Sequence, residues 1–304
     1  MKETDWLCRP DHTAIFMRKW ETAVKKPTAV VQIAHGMLEH IGRYHEFASF
    51  LTKHGITVYG NDHRGHGRTG DNQGLFGYFA DTDGFDKATD DIQAVTEHIK
   101  EEFPDTPLFL MGHSMGSFLA RRYMQQYSRL LDGVILSGTG YYEPSFSRGA
   151  ARIAASLPQK EKAVWLNRLA FSSYNRRIPD QQTAVDWLTR DDAIVRKYLE
   201  DPYCGFVPTA GFFKDLMTGL TVIHDNKRNQ HIPSELPMLI ISGAEDPVGG
   251  YTRGVWKTAH LYKNAGLNRM TATFMEGGRH EILNEINRQE VYRHVLDWIN
   301  QLNS

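Results

Sequence analysis

No charge of one sign dominates this chain. Its 304 residues carry 35 Lys and Arg against 36 Asp and Glu, a formal net charge of −1. It therefore lacks the basic surplus with which proteins bind nucleic acids by bulk charge. It also lacks a run of 18 apolar residues, and its first twenty residues lack the positive start and apolar stretch of a secretory signal. We expect a cytoplasmic protein without a transmembrane span or a nucleic-acid partner.

Cysteine is scarce, since Cys8 and Cys204 are the only two. Two thiols are too few for a disulfide framework, and we expect both to be reduced. Apolar residues are plentiful at 41%, with 23% charged. This composition fills a sizeable core and is not that of a disordered chain. The length suits one large domain or one domain with an insertion.

Short apolar runs alternate with amphipathic stretches, the pattern of strands joined by crossover helices. Six runs predict buried strands, at 29–34, 56–60, 108–111, 134–136, 238–241 and 272–275, and the stretch 4–21 is a candidate for two more. Apolar residues at helical spacing from Phe85 to Phe103 predict the clearest helix, with others at 47–51 and 291–302. The chain is predicted to be an α/β protein with a mostly parallel sheet.

The alternation stops after Leu136 and resumes at Pro237. We predict a core domain of residues 1–140 and 236–304 with a helical cap at 141–235. The cap holds 13 basic and 11 acidic residues, too even a balance to indicate a phosphate-bearing head group. Its apolar stripe has three interpretations: it lines an acyl channel, rests on an interface, or packs the cap onto the sheet. The stripe consists of Phe212, Phe213, Leu216, Met217 and Leu220.

The pentapeptide Gly112-His113-Ser114-Met115-Gly116 has the pattern G-x-S-x-G. A predicted strand leads into it and a predicted helix leads out, the setting in which this motif places a serine on a tight turn above the sheet. A Cβ at either glycine would crowd the neighbouring strand and helix. The sequence therefore predicts a nucleophilic Ser114. The alternative is an ordinary serine in a glycine-rich turn.

A serine hydroxyl is a weak nucleophile at neutral pH and needs a base within hydrogen-bond reach. Of the fourteen histidines, His280 directly follows the last predicted strand. Side chains at the carboxyl ends of parallel strands meet at one rim of a sheet, which favours His280 as the base. His113 adjoins Ser114 and is expected to point away from it. His63 and His66 precede the nucleophile in a polar loop.

Two carboxylates, Glu245 and Asp246, follow the preceding predicted strand. We prefer Asp246 as the group that orients the base, because Pro247 fixes a turn directly after it. The order of Ser114, Asp246 and His280 along the chain is the one found in α/β-hydrolases.

An oxyanion formed at Ser114 needs donors that are fixed before the charge develops, and backbone N–H groups meet that need. We expect one donor to be the N–H of Met115, and the other to be the N–H of Met37 in the loop after the strand 29–34. Further candidates for substrate contact are His35, Gly36, His113, Phe212, Phe213 and Leu216.

With these motifs in hand, the chain resembles the monoglyceride lipase and lysophospholipase branch of the α/β-hydrolases, which is related to S33-like serine aminopeptidases. The residues that carry the resemblance are the runs 35–44, 62–67, 112–116, 243–246 and 278–280. The resemblance implies an eight-stranded core, a helical cap over the active site, and hydrolysis of small lipid-like esters without a cofactor. Apart from the resemblance, the apolar stripe of the cap leaves open a transient contact of the cap with a membrane surface.

Two cofactor interpretations are weaker. The run Gly65-x-Gly67-x-x-Gly70 follows a predicted strand and mimics a dinucleotide fingerprint, but no helix is predicted to open there. Asp90 and Asp91, twenty residues on, fall within a predicted helix rather than at a strand end. Several histidines are candidate metal ligands, but no thiolate or carboxylate stands at a recognised spacing, so we expect no metal. These histidines are His35, His40, His45, His63 and His66.

Two rival functions stay open. An aminopeptidase of the same fold would need carboxylates in the cap to hold a free amine, and five are candidates: Glu143, Asp191, Asp192, Glu200 and Asp201. A binding protein without activity is disfavoured because every catalytic position appears filled.

Overall fold

The fold is built on one sheet. A computed structural model describes residues 2–303 and shows eight strands within that range: β1 Lys2–Cys8, β2 Ala14–Trp20, β3 Ala29–Ala34, β4 Ile56–Asn61, β5 Leu108–His113, β6 Gly133–Ser137, β7 Met238–Gly243 and β8 Met270–Met275. Their order across the sheet is β1-β2-β4-β3-β5-β6-β7-β8. The pairs β1–β2 and β2–β4 are antiparallel, and the remaining pairs are parallel. The predicted α/β class with an eight-stranded, mostly parallel sheet is confirmed.

The strands β3 to β7 are buried along their whole length. Parallel strands covered on both faces appear in the sequence as continuous apolar runs, which is why they could be located. The prediction of burial is wrong for β8, whose residues are all partly or fully exposed. This strand pairs with β7 alone and lies at the edge of the sheet. The stretch 4–21 forms β1 and β2, as expected.

Helices cover both faces of the sheet. Within the described range they are α1 His45–Lys53, α2 Gly67–Gln73, α3 Gly84–Glu102, α4 Met115–Tyr127, α5 Pro144–Ala155, α6 Val164–Phe171, α7 Asp192–Glu200, α8 Ala210–Ile223, α9 Asn226–Asn229, α10 Arg253–Ala265 and α11 Arg288–Leu302. Alternate side chains of β3 enter two cores: Val30 packs with residues of α3 and α4, and Val31 with residues of α1 and α11. No helix between residues 2 and 303 is both long and apolar enough to span a bilayer.

The prediction that no helix opens near Gly70 is wrong, because α2 begins at Gly67. The carboxylate of Asp62 occupies the start of this helix, where its Oδ2 accepts the N–H of Arg68 at 2.8 Å. A Cβ on Gly67 would overlap that carboxylate, and a Cβ on Gly65 would overlap the backbone of Tyr78. The glycines therefore serve close packing, and an aspartate takes the position that a phosphate would need.

The chain between β6 and β7 is mostly helical, and its later part packs on the sheet domain. On α8, Gly219 faces the ring of Phe85 on α3, and no room remains for a Cβ there. Phe212 is fully buried and stacks with Phe79 at a ring distance of 4.8 Å. By contrast, α6 has no buried residue. Helix α8 thus anchors the insertion on the core, and α6 lies at the surface of the insertion.

The anchoring of α8 can be tested with two helical glycines of the insertion. We expect Gly219→Ala to lower the free energy of unfolding by about 1–3 kcal/mol, because the new methyl group must displace the Phe85 ring. Gly149→Ala on α5 is the matched control, since no atom lies within 4 Å of a Cβ there. It should be neutral or slightly stabilising. Equal unfolding midpoints in urea for the two variants would contradict this packing.

Candidate active site

Ser114 stands on a strained turn between β5 and α4. Its backbone angles are φ 51° and ψ −121°. Residues other than glycine rarely adopt this conformation, and holding one there costs about 1–3 kcal/mol. The Ser114 N–H donates to the carbonyl of Ser137 at 2.9 Å, and the Ser114 carbonyl accepts the N–H of Ser117 at 2.9 Å. These bonds to β6 and α4 hold the turn in place. The Ser114 side chain reaches a cavity above the sheet.

Neither glycine of the pentapeptide has room for a side chain. A Cβ on Gly116 would overlap the carbonyl oxygen of Ala34 at the end of β3. A Cβ on Gly112 would overlap the carbonyl oxygen of Gly116. The start of α4 therefore rests directly on β3 and β5, with no side chain between them.

Asp246 and His280 form a buried pair beside this turn. The His280 Nδ1 lies 3.0 Å from Asp246 Oδ1, and the two side chains are 2% and 0% exposed. The loop after β7 fixes the carboxylate, because its Oδ1 also accepts the N–H of Val248 at 2.8 Å and its Oδ2 accepts the hydroxyl of Ser242 at 3.3 Å. The neighbouring Glu245 is exposed. Of the two carboxylates in this loop, Asp246 is the one that contacts the imidazole.

The His280 ring lies between two other rings. His113 is 4.8 Å away on one side, with its Nδ1 bonded to the hydroxyl of Ser137 at 3.1 Å. Trp187, from the insertion, is 5.0 Å away, and its carbonyl accepts the N–H of His280 at 3.3 Å. Sequence reasoning missed Trp187, since no motif marks it. The insertion therefore helps to hold the imidazole.

Ser114 and His280 line the same cavity, which has a volume of about 560 Å³. Together with the Asp246 contact, this brings the three predicted side chains to one rim of the sheet. The structure shows no hydrogen bond from the Ser114 hydroxyl to the ring among the described residues. In unliganded enzymes such bonds are often long and tighten only around substrate.

Most of the other predicted site residues also line the cavity: Gly36, Met37, His113, Met115, Phe213 and Leu216. Two of the predicted residues do not. Phe212 turns from α8 into the core against Phe79, because adjacent helical positions face different sides. His35 is buried beside His63, with a ring distance of 4.1 Å.

His63 and His66 lie in the loop between β4 and α2, as the sequence indicates, and both are fully buried. The His63 N–H donates to His35 Nε2 at 3.0 Å, and His63 Nε2 lies 3.1 Å from the carbonyl of His35. Burial lowers the pKa of His63 to about 3 and that of His66 to about 4, so both stay neutral. Backbone bonding of this kind makes them structural residues.

One cluster within residues 2–303 has the composition of a metal site. His40, Asp201 and Cys204 hold ligand atoms within 4.8 Å of one another. However, His40 Nδ1 accepts the N–H of Gly42 at 3.2 Å, so its proton lies on Nε2, 2.9 Å from Asp201 Oδ2. Both ring nitrogens are therefore engaged: Nδ1 within its own loop, and Nε2 in the contact with Asp201 of the insertion.

A buried ion network lies beneath the cavity, and sequence reasoning did not find it. Arg43 Nη1 donates to Glu39 Oε2 at 2.7 Å, and its two terminal nitrogens bond both oxygens of Glu281 at 2.5 and 2.6 Å. Glu39 Oε1 accepts the N–H of Gly36 at 2.6 Å. One guanidinium thus joins the loop after β3 to the loop that carries His280. Two of its members, Glu39 and Arg43, lie in a run that carried the family resemblance.

A nucleophile on this turn, facing a cavity that it shares with an imidazole from a later strand end, defines the serine hydrolases of the α/β-hydrolase fold. The sheet order and flanking helices are those of that fold. The chain matches the family described as serine aminopeptidase, S33, over residues 25–287, and it belongs to that family.

Similar proteins include lipases and an esterase. The monoacylglycerol lipase of Mycolicibacterium smegmatis is 29% identical over 90% of this chain and 88% of its own length. A monoglyceride lipase homolog of monkeypox virus is 26% identical over 97% of this chain and 98% of its own. Among solved structures, a thermostable carboxyl esterase from Bacillus coagulans in complex with glycerol aligns with a TM-score of 0.92 at 26% identity, over 100% of this chain and 99% of that one.

The charge on His280 can be tested directly. Burial alone would lower its pKa, but the Asp246 carboxylate, together with Glu281 and Glu39, outweighs burial and raises the pKa above its ordinary value near 6.5. Asp246→Asn removes the nearest of these charges and leaves the burial, so the pKa should fall. NMR titration of ¹⁵N-labelled imidazoles measures it. Glu245→Gln, one residue away and exposed, should leave the pKa unchanged. Equal His280 pKa values in the two variants would contradict the assigned contact.

Proposed function

We propose that the protein is a serine carboxylic-ester hydrolase that acts on monoacylglycerol-like substrates through an acyl-enzyme on Ser114. The observation that carries this proposal is that a strained serine and a buried imidazole, itself paired with a carboxylate, face one largely apolar cavity. Its volume of about 560 Å³ lies within the range of small-molecule sites. The similarity to lipases and an esterase supports the same chemistry.

In this mechanism, His280 Nε2 takes the proton of Ser114 as Oγ forms a bond to the ester carbonyl carbon. The negative charge moves to the carbonyl oxygen, where the backbone N–H groups of Met37 and Met115 stabilise it. The bond to the alcohol then breaks, and the alcohol leaves with the proton from His280. Water repeats the cycle on the acyl-enzyme and releases the acid, while Asp246 stays ionised and orients the ring.

The charges around the cavity favour a neutral head group. Within the described chain, no lysine or arginine lines it, whereas Glu39 and Glu281 do. A phosphate would have to bind beside two carboxylates without a lining cation to pair with. A glycerol moiety carries hydroxyl groups that can donate to carboxylates. We therefore favour monoacylglycerols over lysophospholipids.

An aminopeptidase is the second candidate, and the cap carboxylates that it would need are elsewhere. None of the five candidates lines the cavity in the described structure. Glu143 pairs with Lys257, Asp191 caps α7, and Asp201 bonds His40. A free amine in the cavity would therefore meet only carboxylates that are already held by Arg43.

A rate panel tests the proposal. We expect a monoacylglycerol to be hydrolysed with a kcat/KM at least tenfold above that of a lysophospholipid of equal chain length, as roughly 1.4 kcal/mol of charge mismatch would give. An amino-acid anilide should be inert. Ser114→Ala should lower the ester rate by about 10³-fold or more. A preference for the anilide would support the aminopeptidase. If a fluorophosphonate fails to label the folded wild-type protein, it is a binding protein.

The cavity opens among exposed apolar side chains of the cap. Phe146, Leu169 and Leu199 both line the cavity and are 61%, 66% and 54% exposed. Trp165, on the same helix as Leu169, is 51% exposed. The segment 144–177 around this mouth carries seven basic residues and one acidic residue. Exposed apolar side chains in a segment with an excess of basic residues suit the surface of an anionic bilayer, and we propose that the mouth contacts one.

The proposed contact can be measured by co-sedimentation with lipid vesicles. We expect binding to vesicles containing phosphatidylglycerol to exceed binding to pure phosphatidylcholine. Trp165→Ala should weaken it about tenfold, the effect of removing roughly 1.4 kcal/mol of apolar burial. Trp256→Ala is the matched control, because Trp256 is similarly exposed at 49% but lies on α10 outside the cap. Equal losses in both variants would refute a mouth-specific contact.

The expected cytoplasmic location remains part of this proposal. It is supported by the two free cysteines, Cys8 and Cys204.

A further inference from the structure

The loop that carries the Met37 N–H is fixed by the cap. Leu38, the next residue, has a left-handed φ of 60°, which is unfavourable for a leucine without outside support. Its carbonyl accepts two bonds from the insertion, from the Tyr198 hydroxyl at 3.1 Å and from the Gly205 N–H at 3.1 Å. The cap therefore holds the Leu38–Glu39 peptide, on the C-terminal side of Met37.

The other side of Met37 is held by the core domain. The Gly36 N–H donates to Glu39 Oε1 at 2.6 Å, and Arg43 holds that carboxylate. The same guanidinium lies 4.9 Å from the ring centre of Tyr198. The Met37 peptide thus lies between one anchor within its own loop and one from the cap, and Arg43 contacts both anchors.

We propose that Tyr198 is a positioning residue of the cap that keeps the Met37 N–H aimed at the reacting carbonyl. Its hydroxyl holds the Leu38 carbonyl, and Glu39 holds the Gly36 N–H. With both ends of this short stretch fixed, the Gly36–Met37 peptide between them cannot rotate, and the Met37 N–H keeps its direction. The oxyanion site is then complete only when the segment from Tyr198 to Gly205 rests on the loop after β3. This inference rests on the proposed ester hydrolysis and adds a requirement for the cap.

A donor held by this contact acts on the transition state and leaves ground-state binding unchanged. Tyr198→Phe removes one hydroxyl and keeps the ring against Arg43. We expect kcat for a monoacylglycerol to fall about fivefold, the effect of losing one neutral hydrogen bond, with KM nearly unchanged. The affinity for a trifluoromethyl ketone, which forms an oxyanion on Ser114, should fall by the same factor. The affinity for the fatty-acid product should not change.

Tyr203→Phe is the matched control. Tyr203 lies in the same segment, and its hydroxyl bonds the exposed Asp71 at 3.4 Å rather than the loop after β3. It should leave kcat, KM and ketone affinity at wild-type values. The inference is overturned if Tyr198→Phe keeps its kcat within twofold of wild type, or if KM rises while ketone affinity is unchanged. A wild-type protein that does not hydrolyse esters would instead overturn the proposed function.

Discussion

The close approach of α4 to the sheet is the constraint on which the site depends. Because Gly116 lies against the carbonyl of Ala34, the turn at Ser114 cannot move toward the sheet without moving β3. The same approach places Ser114 beside the loop after β3, where a Cβ on Gly36 would stand 3.2 Å from that of Ser114. The positions of the predicted nucleophile and of the expected oxyanion donor are thus set by one contact between backbones.

The insertion between β6 and β7 divides into parts with different contacts. Segment 186–205 is hydrogen-bonded to the loop after β8 and to the loop after β3. Trp187 and Leu188 accept the N–H groups of His280 and Glu281, and Tyr198 donates to the carbonyl of Leu38. Helix α6, in contrast, has no buried residue. Entry of a substrate therefore disturbs the fewest of these contacts if the outer helices move and segment 186–205 stays in place. Such a division lets a cavity open at its mouth while the site keeps its geometry.

Strand ends could be predicted from the sequence, and the contacts of the insertion could not. Ser114, Asp246 and His280 follow apolar runs, and a parallel sheet brings the ends of such runs together whatever the intervening chain does. Trp187 lies in a short 3₁₀ turn and Tyr198 in α7. Their contacts depend on how segment 186–205 lies against the neighbouring loops, which no periodicity encodes. Phe212 was misplaced for a related reason, since a stripe on α8 shows which residues are apolar but not which of them face the cavity. The burial of His63 and His66 depends on backbone partners that are also invisible in sequence.

The electrostatics of the site favour a positive charge on His280 during the reaction. Burial opposes that charge, but Asp246 and, further off, Glu281 and Glu39 outweigh it and raise the pKa of His280. His113, the ring beside it, has a pKa lowered to about 3 by burial and then by His280 itself, so it stays neutral and adds no repulsion. Arg43 offsets one of the two glutamates beneath the site. The uncompensated charge is therefore negative, and in the proposed mechanism it would stabilise an imidazolium formed by proton transfer from Ser114.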